Sequence, residues 1–137
     1  MNIREMTIED HNSVIRLWQN TEGIGLSSAD AVDKQQGFME RNPHLSFIAQ
    51  DEGRVVGTVM CGHDGRRGFI YHLAVDPACR RQGIGRQLVE YCLAGLKTAG
   101  IEKCHIMVFA NNQEGLAFWE KMGWKLRDDI SLLSRSV

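Results

Sequence analysis

Apolar side chains along this chain recur with two different periods. Val14, Ile15, Leu17 and Trp18 fall at helical intervals behind Thr7-Ile8-Glu9-Asp10, which has the form of a capping signal. A short strand over Asn2 to Met6 is therefore predicted to lead into a helix ending near Gln19. The pattern fades at Thr21. Glu22 to Ser28 reads as a loop, and a weaker helical pattern runs from Ala29 to about Arg41, where Asn42-Pro43 ends it. The next three runs, Leu45 to Gln50, Arg54 to Cys61 and Phe69 to Val75, are separated by the turn residues Asp51-Glu52-Gly53 and Asp64-Gly65. They predict successive strands, the first two paired as a hairpin. The steadiest helical period places Ile84, Leu88, Val89, Cys92, Leu93 and Leu96 on one face of a helix from Ile84 to Ala99, stopped by Gly100. A strand over Ile101 to Val108 and a helix from Asn111-Asn112 to about Met122, capped by Gly123, come next. One or two closing strands are predicted between Trp124 and Val137.

The resulting order, β-α-α-β-β-β-α-β-α-β-β, is a run of hairpins followed by a βαβ unit. It predicts an α/β (α+β) fold with a mixed, mostly antiparallel central sheet of about six or seven strands flanked by about four helices. No internal repeat or linker interrupts it, and 137 residues fit one domain, 1–137, whose core needs no staple or metal. The 43% apolar and 24% charged residues are those of a globular protein. A net charge of -1 removes the broad electrostatic attraction that a nucleic-acid partner would require. The four cysteines, Cys61, Cys79, Cys92 and Cys104, show no C-x-x-C spacing, no apolar segment opens the chain and no run of about 20 apolar residues occurs. The expectation is a cytoplasmic protein with reduced thiols and no membrane partner.

Between the strand ending Leu73-Ala74-Val75-Asp76-Pro77 and the steadiest helix lies Arg80-Arg81-Gln82-Gly83-Ile84-Gly85-Arg86. A glycine-rich, basic turn at a helix N-terminus brings the backbone close to a ligand. It presents N–H groups without intrahelical partners and adds the positive end of the helix dipole, a combination that stabilises a phosphate or pyrophosphate. Two familiar nucleotide loops are excluded by spacing. No Lys-Ser or Lys-Thr follows Gly85 as a phosphate loop demands, and Leu88 stands where the third glycine of the dinucleotide fingerprint would fall.

The remaining pattern, R-x-x-G-x-G after a strand, resembles the coenzyme A pyrophosphate loop of the GNAT superfamily of acyl-coenzyme A-dependent N-acetyltransferases. A second segment agrees with it. Val108 to Trp124 is similar to the GNAT pattern V-x-x-x-N-x-x-A-x-x-x-Y-x-K-x-G-F, with Asn112 at the asparagine, Gly115 at the small residue, Trp119 at the tyrosine, and Lys121, Gly123 and Trp124 in register. The resemblance covers nearly the whole chain, the N-terminal quarter only in outline, and is nearest to small stand-alone bacterial acetyltransferases, some of which resemble the enzymes that acetylate ribosomal protein N-termini. It implies acetyl-CoA as cosubstrate, no metal, and transfer of the acetyl group to a primary amine of a small molecule or peptide by direct attack in a ternary complex. It leaves a homodimer open.

Residue by residue, the resemblance implies that backbone groups of Leu73, Ala74 and Val75 hold the pantetheine arm and that the turn from Arg80 through Arg81, Gln82, Gly83, Ile84 and Gly85 to Arg86 holds the pyrophosphate. It further implies a strand bulge that opens a slot for the acyl chain. Solvated surface is the alternative for Arg80 and Arg81, although charge beside a pyrophosphate favours the binding role, and a helix N-cap is the alternative for Asn112. Trp119 replaces the tyrosine proposed in relatives to protonate the departing thiolate, and an indole N–H is too weak an acid for that step; packing in the helix core is its alternative. The N–H of Val75 is expected to polarise the acetyl carbonyl. A base for the amine is sought among His72, Tyr71, Glu22, His63 and Asp64, and strand alternation predicts that only one of Tyr71 and His72 faces the substrate. Cys61 alone, with no base partner, is a weak candidate nucleophile. Acceptor choice is expected to lie in Thr21 to Ser28, Gly62 to Gly68 and the C-terminal strands. The alternatives are an acyl-CoA-binding module without turnover, of which Trp119 would be the symptom, and a nucleotide binder, which charge and spacing disfavour.

Overall fold

The computed structural model describes every residue from Met1 to Val137 and divides into two compact units, Met1–Met107 and Val108–Val137. In the first, β1 (Asn2–Glu5), β2 (Phe47–Asp51), β3 (Arg54–His63), β4 (Gly68–Val75) and β5 (Cys104–Ile106) form one sheet in sequential order. The first four strands are antiparallel neighbours and β5 lies parallel to β4. Three helices accompany them, α1 (His11–Gln19), α2 (Val32–Arg41) and α3 (Ile84–Thr98). The second unit contains α4 (Gln113–Lys121). No helix is long and apolar enough to cross a membrane.

Strand parity sorts the helices onto the two faces of the sheet. Thr58 of β3 is bonded by Trp18 of α1, whereas a Cβ at its neighbour Gly57 would stand 3.1 Å from both Ile84 and Leu88 of α3. Successive strand residues point to opposite faces, so α1 and α3 cover opposite sides, and the absent side chain at Gly57 lets the first turn of α3 lie close on β3. Ile84, Leu88, Val89, Cys92 and Leu96 are buried as the periodicity predicts, but Leu93 is 37% exposed. At about 100° per residue Leu93 lies about 40° beyond Val89, at the border of the stripe. On the α1 side, Val14, Trp18, Ile48, Met60 and Ala74 are buried together, each such side chain contributing about 1.5–3 kcal/mol of burial free energy.

Local chemistry sets the ends of the elements. Glu52 and Gly53, with φ of 50° and 75°, make the two-residue turn between β2 and β3 that matches strand twist. Asp10 accepts the Thr7 N–H (2.8 Å) and both guanidinium nitrogens of Arg4 (2.8 and 2.9 Å), joining β1 to the start of α1. Burial alone would push the Asp10 carboxyl up, but Arg4 and the Thr7 N–H outweigh it and hold the group below the usual carboxylate range.

Three expectations are corrected. The sheet has five strands, because the segment after Trp124 forms none: Leu126, Ile130, Leu132 and Leu133 are exposed, and Arg127 forks locally onto Asp129 (2.9 and 3.0 Å) where a strand would need a ladder partner. The strand expected over Ile101 to Val108 contracts to Cys104–Ile106. The second helix is also shorter than predicted: Ser28–Asp30 forms a separate 3-10 turn before α2.

The buried bond chain from the Trp18 indole N–H to the Thr58 hydroxyl (2.8 Å), and from that hydroxyl to the His72 carbonyl (3.0 Å), ties α1 to β3 and β4. Thr58→Val keeps the shape but strips both groups of their partner, at about 1–3 kcal/mol each, so urea titration is expected to show a loss of about 2–6 kcal/mol. Because the Asp10 pKa is depressed in the folded state, its contribution is present near neutrality and disappears as pH falls through the acid range. Asp10→Asn is expected to lower stability at pH 7 and to flatten its fall between about pH 5 and about pH 3, as read by denaturation at several pH values.

Candidate active site

β4 carries a bulge. Tyr71 pairs with Met60 and Ala74 with Thr58, so His72 and Leu73 together stand opposite Val59. His72 adopts φ 51°, a left-handed conformation that costs a non-glycine residue about 1–2 kcal/mol, and the Thr58 hydroxyl bond to its carbonyl helps hold it there. The bulge overturns the predicted alternation. The Tyr71 ring packs edge-on against Phe38 of α2 (5.8 Å), and the His72 ring lies 4.7 Å from Trp18 of α1. Both side chains thus face the α1/α2 side, since the extra residue turns His72 back toward the face its neighbour occupies.

The same strand has an open edge. β5 pairs only with Gly68, Phe69 and Ile70, and Tyr71 to Val75 continue with β3 alone on one side. The Asp76 N–H bonds the Val56 carbonyl (2.8 Å), which by antiparallel alternation makes Thr58–Ala74 the next hydrogen-bonded pair and Gly57–Val75 a pair whose N–H and C=O groups point outward. Leu73 and Val75 therefore present amides along the open edge, whereas those of Ala74 are engaged by β3. The outward Val75 carbonyl is met by the Arg80 Nε (3.2 Å).

Beyond β4, the Asp76 carboxylate accepts the Ala78 N–H (2.9 Å) in a 3-10 turn over Pro77–Cys79, and the chain then enters α3 through Arg81 at φ 64° and Gly83 at φ 78°. Gly83 is the N-cap of α3 without a side-chain cap. The backbone N–H groups from Arg81 to Arg86 donate to no protein acceptor, and Arg81 and Arg86 make no ion pair. Alternating left-handed residues at a helix N-terminus turn such N–H groups into a concave anion site. Arg80 reaches back to β4, so its charge stays beside the turn.

The proposed bases separate by position and chemistry. His63 and Asp64 lie at the β3–β4 turn, where His63 pairs with Gly68 at the end of β4 remote from Val75. His63 Nδ1 accepts the Gly65 N–H (3.0 Å), and the Arg67 and Arg66 N–H groups hold the Asp64 carboxyl low. Glu22 is exposed in the loop after α1. Burial and the neighbouring Cys61 push the Tyr71 phenol up, which makes it a proton donor near neutrality. His72 is bonded through Nε2 to the Asp30 carboxylate (2.7 Å), and both side chains are largely enclosed.

Cys61, the weak candidate nucleophile, shares strand parity with Gly57 and so lies on the α3 face of the sheet, opposite to the face that carries the Tyr71 and His72 side chains. Contact with Cys104 favours its thiolate, but Cys92 and burial outweigh this and push the thiol well up. All four cysteines are free thiols.

Within the second unit, Asn112 caps α4 by accepting the Gly115 N–H (2.9 Å), and a Cβ at Gly115 would stand 2.6 Å from the Asn112 amide, so the cap and the small residue require each other. Trp119 is 7% exposed, with the Trp124 ring at 4.7 Å and Phe118 at 5.3 Å. Sequence reading gave Asp30 and Thr58 no role and placed Trp18 only in the apolar pattern of the first helix. In the structure Asp30 closes the 3-10 turn that Ser27 caps, whereas its contact with His72 spans 42 residues and has no local signature.

The family model for the acetyltransferase (GNAT) family matches residues 12–124. An acetyltransferase of Pectobacterium atrosepticum is 31% identical over 137 residues, covering 100% of this chain and 96% of its own. Among solved structures, the PaiA N-acetyltransferase of Thermoplasma acidophilum in complex with coenzyme A shares the fold at TM-score 0.79 and 21% identity, covering 93% of this chain and 91% of its own. An aminoglycoside 6'-N-acetyltransferase of Acinetobacter haemolyticus does so at TM-score 0.82 and 16% identity, covering 100% and 99%. With the open-edged strand and the unpartnered turn at the head of α3, these matches make the chain a member of the GNAT acetyltransferase family and an acyltransferase.

Proposed function

We propose that this chain transfers an acetyl group from acetyl-CoA to a primary amine by direct attack in a ternary complex. The observation that carries this is the run of unpartnered N–H groups from Arg81 to Arg86, which suits a pyrophosphate, continuous in sequence with a strand edge whose outward amides suit an extended amide-bearing arm. Gln82, Gly83, Ile84 and Gly85 would bind through backbone, with Arg80, Arg81 and Arg86 adding charge. Leu73 and Val75 would pair with pantetheine amides, and the Val75 N–H would polarise the carbonyl oxygen of the thioester. By its place in the family pattern, Asn112 is proposed as a coenzyme A contact in addition to capping α4, with Gly115 keeping room for its amide.

The amine class rests on the family and on the names of relatives, one of which acetylates an aminoglycoside amine. A peptide N-terminus fits the same chemistry. The loop from Thr21 to Ser28 is the proposed seat of acceptor choice, because it leads directly into the turn whose Asp30 reaches His72. No thiolate relay is proposed, since Cys61 is buried and held as a thiol. The reduced thiols accord with a cytoplasmic location. A second reading, an acyl-CoA-binding module without turnover, draws on Trp119: a buried indole cannot supply a proton to the leaving sulfur. A thiolate is, however, a modest base near neutrality and accepts a proton from water without that help.

Calorimetric titration with acetyl-CoA is expected to give saturable binding that Gly83→Glu abolishes, by placing bulk and negative charge in the anion site; absence of binding to the unmodified chain would sink the proposal. Gly83→Ala introduces no collision, since nothing lies within 4 Å of the added Cβ. It should cost about 1–2 kcal/mol in stability from the positive φ alone, measured by urea denaturation. A panel of primary amines assayed for thiol release separates the two readings: acetyl-CoA binding without release for any amine would favour the binding module.

A further inference from the structure

The turn before α2 and the bulge of β4 meet at one carboxylate. Asp30 Oδ2 accepts the Ser27 N–H (2.9 Å), which closes the 3-10 turn, and Asp30 Oδ1 bonds His72 Nε2 (2.7 Å). Each oxygen therefore has a separate task. A carboxylate only accepts, so the neutral imidazole must carry its proton on Nε2 and keep the lone pair on Nδ1. Nδ1 bonds to no protein group, and the His72 side chain retains 16% of its exposure. The Trp18 ring at 4.7 Å and the Thr58 bond to the His72 carbonyl fix the ring and the backbone beneath it. Asp30 is the carboxylate paired with the ring.

We infer that His72 is the catalytic base, acting through Nδ1, and that Asp30 is a positioning residue that sets its tautomer and ties it to the acceptor loop. This rests on the amine-acetylation reading above. The amine nitrogen's lone pair forms the new C–N bond, and the proton it must shed passes to His72 Nδ1. The C–S bond breaks with its electron pair on sulfur, and His72 returns the proton to yield the free thiol. No further reactant is needed. Because the same carboxylate closes the turn at Ser27, an ordered acceptor loop and a correctly protonated His72 arise together.

Asp30→Asn tests this with an isosteric change. The Ser27 N–H retains the amide oxygen, which leaves the NH2 group to face His72 Nε2. Nε2 must then accept, and the imidazole proton moves to Nδ1. Nitrogen-15 correlation spectra of the His72 ring are expected to show the Nε2–H tautomer in the unmodified protein and the Nδ1–H tautomer in the variant. With an amine that supports thiol release, kcat is expected to fall about 100-fold with KM for acetyl-CoA unchanged. Ser27→Ala, which loosens the turn but keeps the carboxylate, should retain the Nε2–H tautomer. An Nδ1–H tautomer in the unmodified protein, or an unchanged tautomer and kcat in Asp30→Asn, would overturn the inference while leaving acetyl transfer standing. Failure of every amine in the unmodified protein would overturn the transfer reading and the base role with it, and the spectra would still report whether Asp30 sets the ring.

Discussion

One strained residue organises the first unit. His72 stands at positive φ in the middle of β4, and this shifts everything downstream by one place relative to β3. The conformation persists because its carbonyl is caught by the buried Thr58 hydroxyl, which is itself oriented by the Trp18 indole. Those bonds lie in a core where an unpaired donor or acceptor costs about as much as the strain they offset. The bulge thus needs the packed helix α1 as much as it needs the strand that contains it.

The consequences extend in two directions. Downstream, the altered course of β4 accompanies its parting from β5 after Ile70 and leaves outward amides at Leu73 and Val75. The strand then delivers the chain to the turn at Arg80 and the unpartnered N–H groups at the head of α3, which Gly57 lets settle against β3. Sideways, the bulge gathers Tyr71 and His72 on the α1/α2 face, where Asp30 reaches the imidazole. The outward backbone groups of β4 and the side chains on its α1/α2 face are thereby arranged by a single irregularity.

Elements with strong local periodicity were legible in the sequence. The α3 stripe, the Glu52-Gly53 hairpin and the Asn112 cap each depend on residues within a few positions of one another, and each is found where the pattern put it. The closing strands were misjudged because alternating apolar residues such as Ile130 and Leu132 fit a strand only if a partner edge is available. Leu93 is exposed because it lies at the border of the α3 stripe, where the helical period places a residue but not whether a neighbour covers it.

The sequence by itself determined the helix and strand periods, the glycine-rich turn at a helix head and the two motifs that mark the family, because backbone propensity, capping and positive φ are settled over a few consecutive residues. Tertiary structure alone decided which face His72 takes, that Cys61 lies on the opposite one, and that Asp30 is its partner. Strand alternation gives the wrong answer once an extra residue enters the ladder, and that insertion is visible only in the register of β4 against β3. Asp30 and His72 lie 42 residues apart, and their contact exists only because α1, α2 and the sheet pack around Trp18.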